Sequence, residues 1–347
     1  MASSQKKQNA FLYRSGVRMA GTVLACDAAA GGDLVFLSHA AVLGAHGRRA
    51  LPQVGGGRRQ ILATEATLAL LGPVGERLRA QTLVVPFGRP FALGDLRLEI
   101  FPSGFMPGAA SLLCERGGRR IVYSGPIGPG GPGGDDGGGA ELRAADALCI
   151  DARFAAREIV FPERAAAEET LRRIASDRSA GAAPLFLIEP PALAPVIARV
   201  LGAAGVSLRA HRTILDAVAA FRRVDPRSSY PLVQRFAGRL SENEALLWPA
   251  EARAPSQGGQ VQARPRVLVS PRAASAAART RWSGAHRLTF PQGADAAQLA
   301  RYVEATGASE VALVGAPDDA LAELLRGRGL SAYRIGPPWQ IDLFRAA

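Results

Sequence analysis

The chain is poor in the residues that build metal cages and disulfide frameworks. Its 347 residues include three cysteines and four histidines, and aromatic side chains make up 6%. Cys26, Cys114 and Cys149 stand far apart. An odd, scattered set suits reduced thiols and excludes a disulfide scaffold or a cysteine-based zinc site. Lysine is nearly missing, with Lys6 and Lys7 the only two. No apolar run approaches the about 18–20 residues that a membrane span needs. The opening MASSQKKQNAFLY has no apolar stretch of the kind a secretory leader carries. These absences point to a cytoplasmic chain with no membrane partner. There is no internal repeat. The glycine-rich Pro126–Gly139 lacks the Gly-Lys-Ser/Thr of a phosphate-cradling loop and reads as a mobile loop.

What the chain has instead is arginine. Lys plus Arg is 42 against 30 for Asp plus Glu, a net charge of +12. A basic surface attracts nucleic acid or anionic membrane. Arg, Ala, Gly and Pro all have GC-rich codons, so base composition is a second source of the excess. Between Arg253 and Arg287 there are seven arginines and no acid: Arg253, Arg264, Arg266, Arg272, Arg279, Arg281 and Arg287, with Trp282 and His286 among them. Guanidinium groups pair bidentately with phosphates, and an indole stacks on a base. Arg264, Arg266, Arg272, Arg279, Arg281 and Trp282 are therefore the candidate nucleic-acid-binding residues. The competing reading is a solvated arginine-rich linker. Arg209, Arg212, Arg222 and Arg223 form a second group, offset by Asp216 and Asp225, that reads as an ordinary helix surface.

The first half alternates short apolar segments with glycine and proline, which predicts strands at 21–26, 34–38, 82–86, 96–102, 111–115, 119–124 and 147–151. Thr64 is a helix N-cap before EATLALLG, with Gly72 as the stop. From about residue 165 helices and strands alternate, as in a parallel α/β layer. Helices are expected at 166–175, 191–204 and 214–224, and strands at 185–188 and 206–209. Residues 249–266 read as a polar linker. A second alternation follows: strands at 267–270, 310–314 and 331–335, and helices at 295–306 and 318–328.

Read together, GTVLACDAAAGGDLVFLSHA, ILATEATLALLG, FPSGFMPGAASLLCERGGRRIVYSG and ALCIDARFA resemble the N-terminal half of metallo-β-lactamase/β-CASP nucleases. The flavour is that of the bacterial ligase-associated DNA exonucleases, also called RNA 3′-end processing factor-like exonucleases. PLFLIEPPALAPVIARVLGAAGVSLRAHRTI looks like the inserted β-CASP layer, and SEVALVGAPDDALAELLRGRGLSAYRI like the closing unit of the lactamase fold. The resemblance runs from about Phe11 to Ile335 and implies an α/β (α+β) chain with a four-layer αββα core. The core would comprise residues 10–159 and 285–347, with an inserted α/β domain at 160–284.

Members of that family hydrolyse phosphodiesters with two zinc ions, each of which needs several His or Asp ligands. The family's His-x-His-x-Asp-His cluster corresponds here to His39, Ala41, Leu43 and Gly44. Gly-His-x-x-Gly-Ser-Ala becomes Gly104 to Ala110 with Phe105 in place of histidine. The bridging aspartate falls on Pro126, and the two later histidines fall on Gly293 and Gly315. Asp27, His39 and Asp151 survive as vestigial positions. His39 then reads as a structural hydrogen-bonder, Asp27 and Asp151 as caps for free N–H groups, Phe105 and Met106 as fillers of the space the metals left, and His46 as an exposed loop residue. The resemblance thus implies that zinc is lost, no cofactor is held and no residue is catalytic. The expectation is a nuclease-like scaffold that binds DNA, RNA or an active paralogous nuclease or ligase. Two readings compete: an active metal-dependent exonuclease with rearranged ligands, and a structural subunit that binds no nucleic acid.

Overall fold

The computed structural model describes residues 9–28, 33–43, 59–129, 139–177, 179, 181–226, 229–253, 261 and 263–337. It is a mixed α/β protein whose described residues form three sheets and eight α-helices.

The first sheet has the order β1-β2-β3-β4-β5-β6. Its strands are β1 (Phe11–Tyr13), β2 (Val17–Met19), β3 (Leu24–Cys26), β4 (Leu34–Phe36), β5 (Gln60–Ala63) and β6 (Thr82–Val84). β1 and β2 form a hairpin and β3 onward run parallel. Between β5 and β6 lie α1 (Glu65–Leu70) and α2 (Pro73–Leu78). Thr64 caps α1 by accepting from Thr67 N. Gly72, at φ 58, turns the chain into α2, which carries proline in its first turn.

β7 (Phe91–Leu93), β8 (Leu96–Pro102), β9 (Ala110–Arg116), β10 (Arg119–Gly125) and β11 (Ala147–Asp151) begin the second sheet. β7 to β10 are antiparallel neighbours, and β11 joins β10 in parallel.

The chain then builds a third sheet, wholly parallel, in the order β14-β13-β15-β12-β16-β17. The elements are α3 (Arg164–Ser176), β12 (Leu185–Ile188), α4 (Ala194–Ala203), β13 (Ser207–Ala210), α5 (Arg212–Val224), β14 (Val233–Arg235), β15 (Glu244–Pro249), β16 (Arg266–Ser270), α6 (Ala276–Arg281) and β17 (His286–Thr289). Successive strand residues point to opposite faces. Phe186 and Ile188 enter a core with Leu171, Ile197 and Ile214. Leu185 and Leu187 face a second cluster with Trp248, Ala278 and Trp282. Because β17 pairs with β16, this unit extends past the expected boundary at residue 284.

The last segment, α7 (Ala296–Thr306), β18 (Glu310–Val314), α8 (Ala320–Gly327) and β19 (Ser331–Ile335), returns to the second sheet and completes the order β19-β18-β11-β10-β9-β8-β7. Asp295 and Gln298 form a capping box on α7, and Gly307 closes it in the left-handed region. Phe11, Met19, Phe36 and Leu62 from the first sheet share one core with Leu98, Leu112, Cys149 and Ala312 from the second, so these two sheets pack face to face. α7 and α8 cover the outer face of the second sheet through Leu299, Tyr302 and Leu325. α1 and α2 cover the first through Leu68 and Leu78. Among the described residues, no helix is long and apolar enough to cross a membrane.

Candidate functional site

A group of polar residues meets where parallel strands end. Asp27 follows β3, Ser38 and His39 follow β4, Tyr123 lies on β10 and Asp151 closes β11. Asp27 accepts Ser38 N at 2.8 Å and Ser38 Oγ at 2.5 Å on its two oxygens, and Tyr123 OH at 2.8 Å. Burial raises its carboxyl above the usual range, against the lowering pull of the Ser38 hydrogen bonds. Asp27 adopts φ 48, a left-handed conformation that an aspartate tolerates better than most residues.

His39 is 1% exposed. Its Nδ1 lies 2.7 Å from Ser38 Oγ. Because the Ser38 hydroxyl is donated to Asp27, its oxygen accepts here, so Nδ1 carries the proton and Nε2 holds a lone pair. That Nε2 is buried with no partner among the described residues. Phe105 stands edge-on to the imidazole, ring centres 5.1 Å apart. Burial first, then the positive charge of Arg153, pushes the imidazole down to about 3, so the ring is neutral.

Asp151 is held by a residue that the sequence reading passed over. Arg153, two positions on, donates its backbone N to Asp151 Oδ1 at 3.0 Å and its Nε to both oxygens at 2.9 and 3.0 Å, and Nη2 closes the pair. Burial opposes the charge on Arg153, but the Asp151 carboxylate outweighs it and the guanidinium is held more firmly protonated than usual. The only signal for this in the sequence is the spacing Asp-x-Arg in ALCIDARFA.

The positions expected to have lost metal ligands divide into groups. Ala41 and Leu43 lie in a 3-10 turn, Ala40–Leu43; Gly44 and His46 lie outside the described residues, as do residues 130–138 of the glycine-rich segment. Pro126 is buried. A Cβ at Gly293 would lie 3.2 Å from the Phe154 ring, and one at Gly315 would lie 3.7 Å from Asp151 Oδ1 and 3.8 Å from Arg153 Cβ. Gly315 and Asp151 are thus neighbours, whereas the space beside Gly293 belongs to Phe154. Among the described residues, no three His, Cys, Asp or Glu side chains converge on one point. A di-zinc centre does not fit this donor set: a guanidinium holds Asp151, and a phenyl ring packs against the buried His39. The remaining histidines lie elsewhere. His211 caps α5 through Nδ1, and His286 is exposed on β17.

The basic stretch is not one surface. Arg264 is 5% exposed and donates to Ala183 O at 2.8 Å, Glu244 O at 2.6 Å and Ser241 O at 2.6 Å. It ties together the starting ends of β12, β15 and β16. The expected phosphate contact at Arg264 is therefore corrected: its guanidinium is turned inward on carbonyl groups. Arg266, Arg272, Arg279 and Arg281 are exposed, and none forms a salt bridge among the described residues. Arg266 lies at the start of β16, while Arg272 lies beyond its end, where Nη2 reaches Arg153 O at 3.1 Å and the guanidinium sits over Phe154. Arg279 donates to Ala274 O. Trp282 is half-buried against the third-sheet core, with Arg281 5.1 Å from its ring centre, so one face is already covered. The second group is paired more than expected: Arg209 binds Glu244 at 2.7 Å, and Arg212 approaches Asp216 at 3.9 Å.

Phe105 also lines a cleft of about 1100 Å³ between the paired sheets and the third-sheet unit, with Phe87, Arg199, Tyr230 and Arg301 among its walls. No family model matches the chain, and no curated protein matches it.

Proposed function

We propose that this chain is a degenerate relative of the metallo-β-lactamase/β-CASP nucleases: a four-layer αββα core with an inserted α/β layer that grips nucleic acid, or an active partner nuclease, without cutting. One observation carries the loss of chemistry. The carboxylate that closes β11 is bound by the chain's own Arg153, and the buried imidazole of His39 is capped by Phe105. A hydrolytic metal would need both groups open. Helices outside each of two face-to-face sheets, and a parallel layer inserted between residues of the second sheet, support the architectural part of the reading.

Binding is supported by charge. The exposed arginines Arg266, Arg272, Arg279 and Arg281 meet no carboxylate among the described residues, within a chain of net charge +12. Such a surface favours polyanions by counterion release, with little dependence on base sequence. A cytoplasmic setting belongs to the same reading, supported by three free, fully buried cysteines.

The test pairs two measurements on the full chain. Fluorescence anisotropy with single- and double-stranded oligonucleotides across a salt series should give binding that weakens steeply with salt. Elemental analysis of the same sample should find zinc well below one per chain, with no hydrolysis of the oligonucleotide. Zinc near two per chain with chelator-sensitive cleavage would favour the rearranged nuclease. No binding at low salt would favour the structural subunit.

A further inference from the structure

A carboxylate at the end of a core strand, with a second carboxylate nearby, calls for a compensating cation. The side chain of Asp151 is 10% exposed and that of Arg153 39%, and Asp27 lies close enough to Asp151 for the two to repel. Three nitrogens of Arg153 reach the Asp151 oxygens, from the main chain and from two sides of the guanidinium. The same cation acts on His39, Asp27 and Tyr123. Arg153 is also fastened from outside: its carbonyl accepts Arg272 Nη2, and Arg272 lies 5.8 Å from the ring centre of the adjoining Phe154. Position 315 carries no side chain to compete for the place, and a Cβ there would touch both partners of the pair.

We infer that the Arg153 guanidinium is a resident cation at the strand ends, occupying by covalent tether the role for which the resembled family uses metal charge. The vacated place would be a binding site for an alkylguanidinium ion, selected by the bidentate geometry of the Asp151 carboxylate. The inference rests on the reading of these strand ends as a former metal site. An ordinary exposed ion pair would behave differently, because such pairs add little and need no replacement.

The experiment is thermal unfolding of the full-length R153A protein, with and without millimolar ethylguanidinium, beside wild type and the double variant D151N/R153A. R153A should melt roughly 2–6 °C below wild type. Ethylguanidinium should restore most of that loss in R153A and leave wild type and the double variant unmoved. Unchanged stability in R153A, no recovery with ethylguanidinium, or equal recovery in D151N/R153A overturns the inference. If R153A does not fold, the double variant decides: a folded D151N/R153A supports the resident cation, and one that stays unfolded overturns it. Stoichiometric manganese bound by wild type and lost in D151N would also overturn it. Cleavage activity that survives D151N would sink only the functional reading above.

Discussion

Arg264 offers the sharpest separation between a structural and a nucleic-acid role. In R264M the side chain keeps most of its volume and loses its hydrogen bonds to Ala183 O, Glu244 O and Ser241 O. Hydrogen bonds from a charged donor contribute ~1.5–3 kcal/mol each when deleted singly. A simple sum overstates the loss, because bonds sharing one guanidinium are not additive. Removing a buried cation also relieves desolvation. Water can reach Glu244 O and Ser241 O, whose bonds are part-buried, more easily than Ala183 O, whose bond is buried. The net expectation is a loss of about 2–4 kcal/mol, centred on the starting ends of β12, β15 and β16. Urea unfolding followed by tryptophan fluorescence should show it as a lower midpoint, since Trp248 and Trp282 sit in the cluster behind these strands. R266A, two residues away and exposed, should stay within ~0.5 kcal/mol of wild type. An R264M midpoint equal to that of wild type, together with a drop in oligonucleotide affinity, would refute the structural assignment.

Three further outcomes follow from the same geometry. If Arg266 contacts a phosphate, R266A should lower the logarithmic salt slope of oligonucleotide binding by about 1, while W282A should cost roughly 1–3 kcal/mol of stability because the indole is half-buried; anisotropy and urea unfolding check each. His39 is held near 3 against about 6.5 in the unfolded chain. The unfolded state therefore binds the proton first, and stability complete above pH 6.5 is lost at up to about 1.4 kcal/mol per unit as pH falls toward 3. The raised carboxyl of Asp27 opposes this, since its folded form takes a proton more readily. H39Q should flatten the acid limb of a stability-against-pH series, and an unchanged limb would contradict the burial of a neutral imidazole. F105A should cost about 3–5 kcal/mol for a buried ring, measured by the urea midpoint.

Elements with a local signature were the ones legible in the sequence. β8, β11, β12, β18 and β19 were placed to the residue, and the caps at Thr64 and Gly307 announced the ends of α1 and α7. β15 escaped, although it lies between β13 and β12 at the centre of the third sheet. Its EALLWP is almost wholly buried, so it has no alternation to read, and its proline is the first residue of the segment that reads as a linker. α6 and β17 were hidden by arginine, whose long stems cover apolar surface while their charge suggests solvent. The β1–β2 hairpin turns through Ser15 at φ 55 and Gly16 at φ 137 rather than through an Asn-Gly pair. Within the site, Asp27, His39 and Asp151 stood out singly in the sequence. Their partners did not: Ser38 reaches Asp27 only when β3 and β4 pair, Tyr123 only when the two sheets meet, and Arg153 is marked by no more than the Asp-x-Arg spacing.

The pairings at those strand ends bear on whether one substitution could open the site to a metal. Each polar group there has a neighbour: Asp27 holds Ser38 and Tyr123, Asp151 holds Arg153, and His39 holds Ser38 and packs on Phe105. Without such neighbours these groups would be buried charges or would border a void, each of which destabilises by kilocalories. The neighbours are therefore part of the present stability, and putting one ligand back disturbs them. A histidine at position 105 would bring a second imidazole to His39 but leave Asp151 bound to Arg153. Removing Arg153 would free Asp151 but set it against Asp27 with no cation between them. Under the proposed nuclease ancestry, a metal would have to displace the guanidinium, the ring and the hydrogen bonds of Asp27 together, so hydrolysis would require several concerted changes, each harmful alone.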